Sequence, residues 1–310
     1  MTVVAAVDCG TNSLRLLVAD LDPESGRARD LDRRTTIVRL GEGVDRTGRF
    51  AEAALGRTFE ALDVYARIIE ELGATRTRMV ATSAARDVTN RDAFVDGCQA
   101  RLGIEPDVVS GDEEARLAYD GTLRGLAGTP DVVEPVLVLD IGGGSTELVT
   151  RVEAPGPSRT VSRSLDIGSV RLHERFMHGD PPTGSEVDEA TVYVEKALDS
   201  LEAELRAAGT LVGVDGTIRT MAAVALDMPS YDKSSLHLVR LAAVDVHAVR
   251  DRLLAMTVGE RRAIPSMHPG RADVIGAGAI VLSAVVDRLG LDDVLVSKHD
   301  ILDGIAWSVV

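Results

Sequence analysis

Two short segments set acids beside small residues rich in hydrogen-bond donors. The first is "VDCGTNSLRLLV" at residues 7–18 and the second "LDIGGGSTELV" at residues 139–149. Written one above the other, Asp8 falls on Asp140, Gly10 on Gly142, Ser13 on Ser145 and Arg15 on Glu147. Gly10, Gly142, Gly143 and Gly144 let backbone N–H groups approach an anion with no Cβ in the way, and successive N–H groups form an anion-binding nest. Thr11, Asn12, Ser13, Ser145 and Thr146 add short hydroxyl or amide donors. Such a set suits the oxygens of a polyphosphate group. Asp8, Asp140 and Glu147 are hard oxygen ligands, and Mg2+ takes one or two carboxylates together with waters and substrate phosphates. Carboxylates beside a phosphate repel it unless a cation lies between, so the pairing implies a divalent ion. An aspartate also often bonds its own turn, an equal reading for either aspartate alone; the matched positions favour the metal. Neither segment carries the Gly-Lys-Ser/Thr of a Walker loop, and no Gly-x-Gly-x-x-Gly opens a helix.

Periodicity names the elements that must hold these residues. Residues 2–21 read as strand, tight turn over Gly10–Ser13, and strand. A third extended stretch follows over 29–44. Leu55, Phe59, Leu62, Ile69 and Leu72 recur at helical spacing and predict a helix over 51–72. "RMVATSAARD" reads as a short strand running into a loop, with a helix near 90–102 beyond it. "DVVSGDEEARLAYDGTL" is a strand, then a helix with Ser110 and Glu113 as a capping box. The Gly- and Pro-rich stretch 125–135 marks a domain boundary, and the strand–hairpin pattern starts again at 136, as an internal duplication would. A turn is expected at 153–158 and helices near 168–177, 185–208 and 244–257. Residues 210–226 read as strand, Gly turn and helix. An apolar helix buried on most sides lies within 272–290, followed by a closing strand and helix.

Composition excludes whole classes of function. Hydrophobic residues make up 45% of the 310, enough for a sizeable core, and with 3% aromatics that core is aliphatic. No apolar run approaches the ~20 residues of a membrane span, and the N-terminus lacks the charged region and cleavage site of a secretory leader. Two cysteines, Cys9 and Cys98, make no disulfide framework, so a reducing cytoplasm is the natural setting. A net charge of −15 argues against general nucleic-acid or membrane binding, though a local groove can still hold a small or linear polyanion. His173 and His178 lack ligand spacing and read as solvent-facing, Cys9 reads as a small buried residue, and no Ser–His–Asp set is evident.

Along its length the chain resembles the exopolyphosphatase/guanosine pentaphosphate phosphohydrolase family of the actin–sugar kinase–Hsp70 superfamily. Besides the two acid-flanked segments, the collinear series is "TTIVRLGEGVDRTGRF", "ATSAARD", "SGDEEARLAYDG", "GVDGTIRTMAA", "HPGRADVIGAGAIVL" and "VSKHDILDGIAW". The resemblance implies an α/β chain of two ribonuclease H-like, actin-like ATPase domains facing across a cleft. These would be 1–125, with the C-terminal helix 300–310 packing back on it, and 126–299. It implies metal-dependent removal of terminal orthophosphate from inorganic polyphosphate, with guanosine pentaphosphate hydrolysis or a non-catalytic sensor as alternatives. Longer members carry a further C-terminal helical region, so shorter polyphosphate is expected here. The family's catalytic glutamate falls on Glu114, which opens a helix with Leu117 and Ala118 alongside it. By the same resemblance Arg86 binds phosphate, and Arg271 is a second such arginine from the other domain. Gly213, Gly216 and Thr217 resemble the superfamily's adenosine-holding loop; a guanosine base or a simple helix start are equal readings. Mg2+ is the implied cofactor. Members often form homodimers, and the apolar helix over 273–289 suits an interface as well as a core.

Overall fold

The computed structural model describes residues 2–154 and 156–310; residue 155, within the turn expected at 153–158, lies outside the described residues. The chain divides into two compact units, Met1–Gly121 with Asp300–Val310, and Thr122–His299.

The first unit opens with β1 (Thr2–Cys9), β2 (Ser13–Asp22) and β3 (Arg27–Ile37). It continues through α1 (Val44–Thr47), α2 (Glu52–Glu71), β4 (Arg76–Ala81), α3 (Ser83–Arg86) and α4 (Arg91–Leu102) to β5 (Asp107–Val108). The helix α5 (Gly111–Leu126) carries the chain into the second unit. There follow β6 (Val136–Ile141), β7 (Thr146–Ala154), β8 (Gly156–Leu165), α6 (Ser169–Phe176), α7 (Gly184–Leu198) and α8 (Ala203–Arg206). Next come β9 (Thr210–Val214), α9 (Asp215–Ala225), α10 (Lys233–Leu236), β10 (Arg240–Ala242), α11 (Ala243–Ala255) and α12 (Val258–Arg262). A 3-10 turn (Pro269–Arg271), α13 (Ile275–Leu289) and β11 (Asp293–Val296) close this unit, and α14 (Ile301–Trp307) belongs to the first.

The two sheets repeat one plan. The first has the order β3-β2-β1-β4-β5 and the second β10-β11-β9-β6-β7-β8. In each, an antiparallel hairpin and third strand (β1, β2, β3; β6, β7, β8) continue into parallel strands. The short edge strand β10, antiparallel to β11, is the addition in the second unit. Strand β1 is covered on both faces: Ala5, Val7 and Cys9 join a core with α2 and α4, while Val4 and Ala6 pack with Leu117, Ala118, Ile301, Leu302 and Ile305 of α5 and α14. Burial on both faces accounts for its unbroken apolar run.

Four local expectations change. Ser83–Arg86, read as loop, forms one helical turn after β4. The helix expected over 185–208 breaks at Asp199–Glu202, where Asp and Ser compete for backbone hydrogen bonds and suit helix ends better than interiors. The Gly turn expected after β9 is absent: Asp215 itself takes a left-handed backbone, φ 62°, and α9 starts there. At α5 only half of the capping box forms: Ser110 Oγ accepts from the Glu113 N–H at 3.2 Å, while the Glu113 carboxylate accepts from Arg78 at 2.9 Å. Among the described residues no helix is long and apolar enough to cross a membrane.

Candidate active site

Each hairpin ends in a four-residue turn of the same geometry. Cys9 pairs with Leu14 and Ile141 with Thr146, and the turn closes by Gly10 N–H to Ser13 O at 2.9 Å and Gly142 N–H to Ser145 O at 3.0 Å. What lies behind each turn fixes which way its peptides face. In the first, Thr11 O accepts from Gly41 N–H (2.8 Å) and Asn12 O from Val38 and Arg39 N–H (3.0 and 2.9 Å). A trans peptide points its N–H opposite its C=O, so the Asn12 and Ser13 N–H groups are directed away from that segment. In the second, Gly142 O accepts from Ser169 N–H (3.0 Å), Gly143 O from Val170 and Arg171 N–H (2.9 and 3.1 Å), and Gly144 O from Arg171 Nε (2.8 Å). The N–H groups of Gly143, Gly144 and Ser145 therefore point the other way. Each turn is thus a run of aimed N–H groups, as an anion nest requires.

The backing residues were not singled out from sequence. A Cβ on Gly41 would overlap Thr11, and one on Gly168 would overlap the Gly143 carbonyl. Ser169 and Thr217 hydroxyls donate to Gly142 O (3.3 Å) and Ile141 O (3.2 Å). Thr146 behaves likewise: its hydroxyl donates to Ile167 O, so that proton anchors the hairpin and is not offered to a ligand.

The acids beside the turns differ in their partners. Asp8 stands directly opposite Arg15 in the β1/β2 register, and its Oδ2 accepts from Arg15 Nε (2.7 Å) and Nη2 (2.6 Å). Asp140 stands directly opposite Glu147 in the β6/β7 register, and both are buried. Opposed residues of an antiparallel pair share a face, and like charges there are unfavourable. Ser164 Oγ donates to Glu147 Oε1 at 2.7 Å. Among the described residues no group of three or more His, Cys, Asp or Glu forms a closed metal cage. Two opposed carboxylates beside a run of aimed N–H groups nonetheless fit the donor set of Mg2+, which takes one or two carboxylates and completes its shell with other oxygens.

Glu114, in the first turn of α5 and 9% exposed, is ion-paired with Arg86 at the end of α3: Nη1 to Oε2 is 2.7 Å. The same Nη1 donates to Val109 O at 3.1 Å. Arg91 secures this turn by donating to Ala85 O (2.7 Å) and Arg86 O (2.9 Å). The expected base and the expected phosphate arginine, 28 residues apart, are therefore neighbours. The carboxylate meets a guanidinium, while Leu117 and Ala118 of the same helix pack into the core with β1 and α14.

Arg271 sits in the 3-10 turn with its guanidinium against Gly216, where any Cβ would overlap it. Gly213 is required by packing, since a Cβ there would press on Ile218 and Val294. With Thr217 donating to the end of β6, this loop serves the second hairpin as scaffold. Cys9 and Cys98 are buried; burial, foremost, pushes the Cys9 thiol well above its ordinary value and Cys98 up to about 12. Neither supplies a thiolate near neutral pH. His178 is exposed and His173 half-buried.

Comparison with known proteins adds to this geometry. The model of the Ppx/GppA phosphatase family matches residues 17–310. Exopolyphosphatase 2 of Mycobacterium tuberculosis is 48% identical over 327 aligned positions, covering 100% of this chain and 99% of that protein. The crystal structure of an exopolyphosphatase-like protein superposes with a TM-score of 0.93 at 38% identity, covering 99% of this chain and 98% of the other. A Ppx/GppA family member from Aquifex aeolicus superposes at 0.81 with 30% identity, covering 99% and 97%.

Proposed function

The chain belongs to the Ppx/GppA phosphatase family, with its two-domain actin-like fold, and on that premise we propose that it is an exopolyphosphatase. It hydrolyses the terminal phosphoanhydride of inorganic polyphosphate and releases orthophosphate. The observation that carries the chemistry is the repeated hairpin whose carbonyls are tied back and whose N–H groups are aimed outward. The substrate follows from full-length similarity to Exopolyphosphatase 2.

Hydrolysis of a phosphoanhydride is mostly positioning and charge stabilisation. Water oxygen forms a bond to the terminal phosphorus as the bridging P–O bond breaks, and the shortened chain leaves with the bridging oxygen. Glu114 orients that water and takes its proton. Arg86 offers its guanidinium to the phosphoryl oxygens, where a positioned charge is worth most in the transition state. The nests at Asn12–Ser13 and at Gly143–Ser145 are each built to grip phosphate oxygens. Asp140 and Glu147 would hold Mg2+, which neutralises phosphate charge beside them.

The test is orthophosphate release from polyphosphate, guanosine pentaphosphate and ATP, with and without Mg2+. Guanosine pentaphosphate presents the same terminal bond and is the competing substrate. Polyphosphate is expected to be cut fastest, and only with Mg2+. Glu114→Ala should abolish release while leaving polyphosphate binding largely intact; an active Glu114→Ala enzyme rules out this base.

A further inference from the structure

Asp8 is held by an ion-pair chain that reaches the far end of the sequence. The Arg15 fork meets Asp8 Oδ2 through Nε and Nη2 and uses Nη1 for Asp300 Oδ2 at 2.9 Å. Asp300 is itself fixed as the N-cap of α14: its Oδ1 accepts from Leu302 N–H at 3.1 Å, and its own N–H donates to Asp303 Oδ2 at 3.0 Å. Asp303 is gripped by both terminal nitrogens of Arg33 (2.7 and 3.0 Å), and Arg33 Nε continues to Asp30 at 2.7 Å. All these residues lie in the first unit, and Asp8, Arg15, Asp300 and Asp303 are buried.

We infer that Arg15 and Asp300 are positioning residues for the proposed reaction, fixing the Asp8 carboxylate, a hard oxygen ligand read from the sequence, beside the first anion nest. The inference rests on the exopolyphosphatase reading. Its competitor is a purely structural ion pair. Buried ion pairs are a weak source of stability, because desolvation offsets most of their attraction, and apolar replacements are often neutral or stabilising. Stability alone therefore gives little reason for so many charges under one hairpin. Geometry gives a better one. A planar fork shared by two anchored carboxylates leaves Asp8 a single orientation, and binding groups must be held to about 0.5 Å. In the second hairpin the register position of Arg15 is taken by Glu147, so an arginine at that place is not a by-product of the repeated fold.

Two substitutions test it. Arg15→Met removes the fork and keeps an apolar stem. Asp300→Asn removes the charge and keeps a good helix cap. For each, kcat and KM of orthophosphate release from polyphosphate and the Tm are measured, in the native background and with Asp8→Asn. Arg15→Met is expected to lower kcat/KM by about 10- to 100-fold, the usual cost of removing a partner that orients a functional ligand. In the Asp8→Asn background the same change should cost less than about twofold, since partners acting as a unit are non-additive. Removing one partner of a buried ion pair lowers the Tm on either reading; a purely structural role predicts an unchanged KM and equal losses in both backgrounds, and that result overturns the inference. If Arg15→Met does not fold, Asp300→Asn decides: a lowered kcat/KM whose loss shrinks in the Asp8→Asn background supports it, and native kinetics overturn it. Failure of the unmutated protein to release orthophosphate would overturn the exopolyphosphatase reading and this inference together. Release by that protein with native-like variants overturns this inference alone.

Discussion

At the scale of residues, the site is a set of charges in specific company. Arg86 is ion-paired with Glu114, so the guanidinium proposed to meet the phosphoryl oxygens also orients the carboxylate proposed as the base. Asp140 and Glu147 oppose one another across β6 and β7, a placement in which like charges are unfavourable. If a divalent cation is their purpose, removing one charge has opposite effects with and without it. Glu147→Gln, which keeps an acceptor for Ser164, should melt at or slightly above the unmutated protein in EDTA. Mg2+ should raise the Tm of the unmutated protein and leave that of Glu147→Gln nearly unmoved, because ligand stabilisation depends on affinity. Thermal melts with and without Mg2+ read both effects without reference to activity. A variant that melts well below the parent in EDTA would make Glu147 a structural acceptor.

At the scale of elements, the strands and hairpins were legible because burial on two faces writes an unbroken apolar run, and a glycine–hydroxyl turn interrupts it at the same place twice. Helix α2 was legible from the spacing that buries Leu55 and Leu62 on one stripe. What escaped was non-local. Nothing near Arg15 in sequence announces Asp300, 285 residues away, although Asp8 and Arg15 flanking a four-residue turn are register partners by arithmetic. The left-handed Asp215 escaped because glycine, two of which flank that aspartate's neighbourhood at Gly213 and Gly216, was the expected turn residue. The resemblance placed the C-terminal helix on the first domain, but the close seam between α5 and α14 was not legible. A Cβ on Gly304 would overlap Leu117 O, and one on Gly121 would overlap Asp300 O, so these helices meet backbone to backbone. Gly304→Ala forces them apart and should cost about 1–3 kcal/mol, the usual penalty of overpacking. Urea unfolding measures it. Because α14 carries Asp300, the same substitution should also lower kcat/KM, whereas an alanine at exposed Gly56 of α2, with open space around it, should do neither.

At the scale of the whole molecule, a chain of charge −15 is proposed to bind a polyanion. Two ways of binding one can be told apart. A basic surface attracts every polyanion alike and releases counterions, so its affinity collapses with salt in proportion to the phosphates neutralised. A backbone nest reads the close spacing of phosphoryl oxygens through aimed N–H groups, and needs no basic surface. The acid excess here, 49 acidic against 34 basic residues, removes the first option for the surface at large and leaves the second. Duplex DNA, with its phosphates joined through sugars and its ends rarely phosphorylated twice, satisfies the first and not the second. DNA in excess over polyphosphate should therefore change the KM for polyphosphate by less than about twofold, and the salt dependence should be shallow, reflecting only a few contacts. The orthophosphate-release assay, repeated with DNA and across a salt series, gives both numbers. Strong competition by DNA, with a steep salt slope, would mean that a basic groove captures the substrate, and the nests would then have to yield their role.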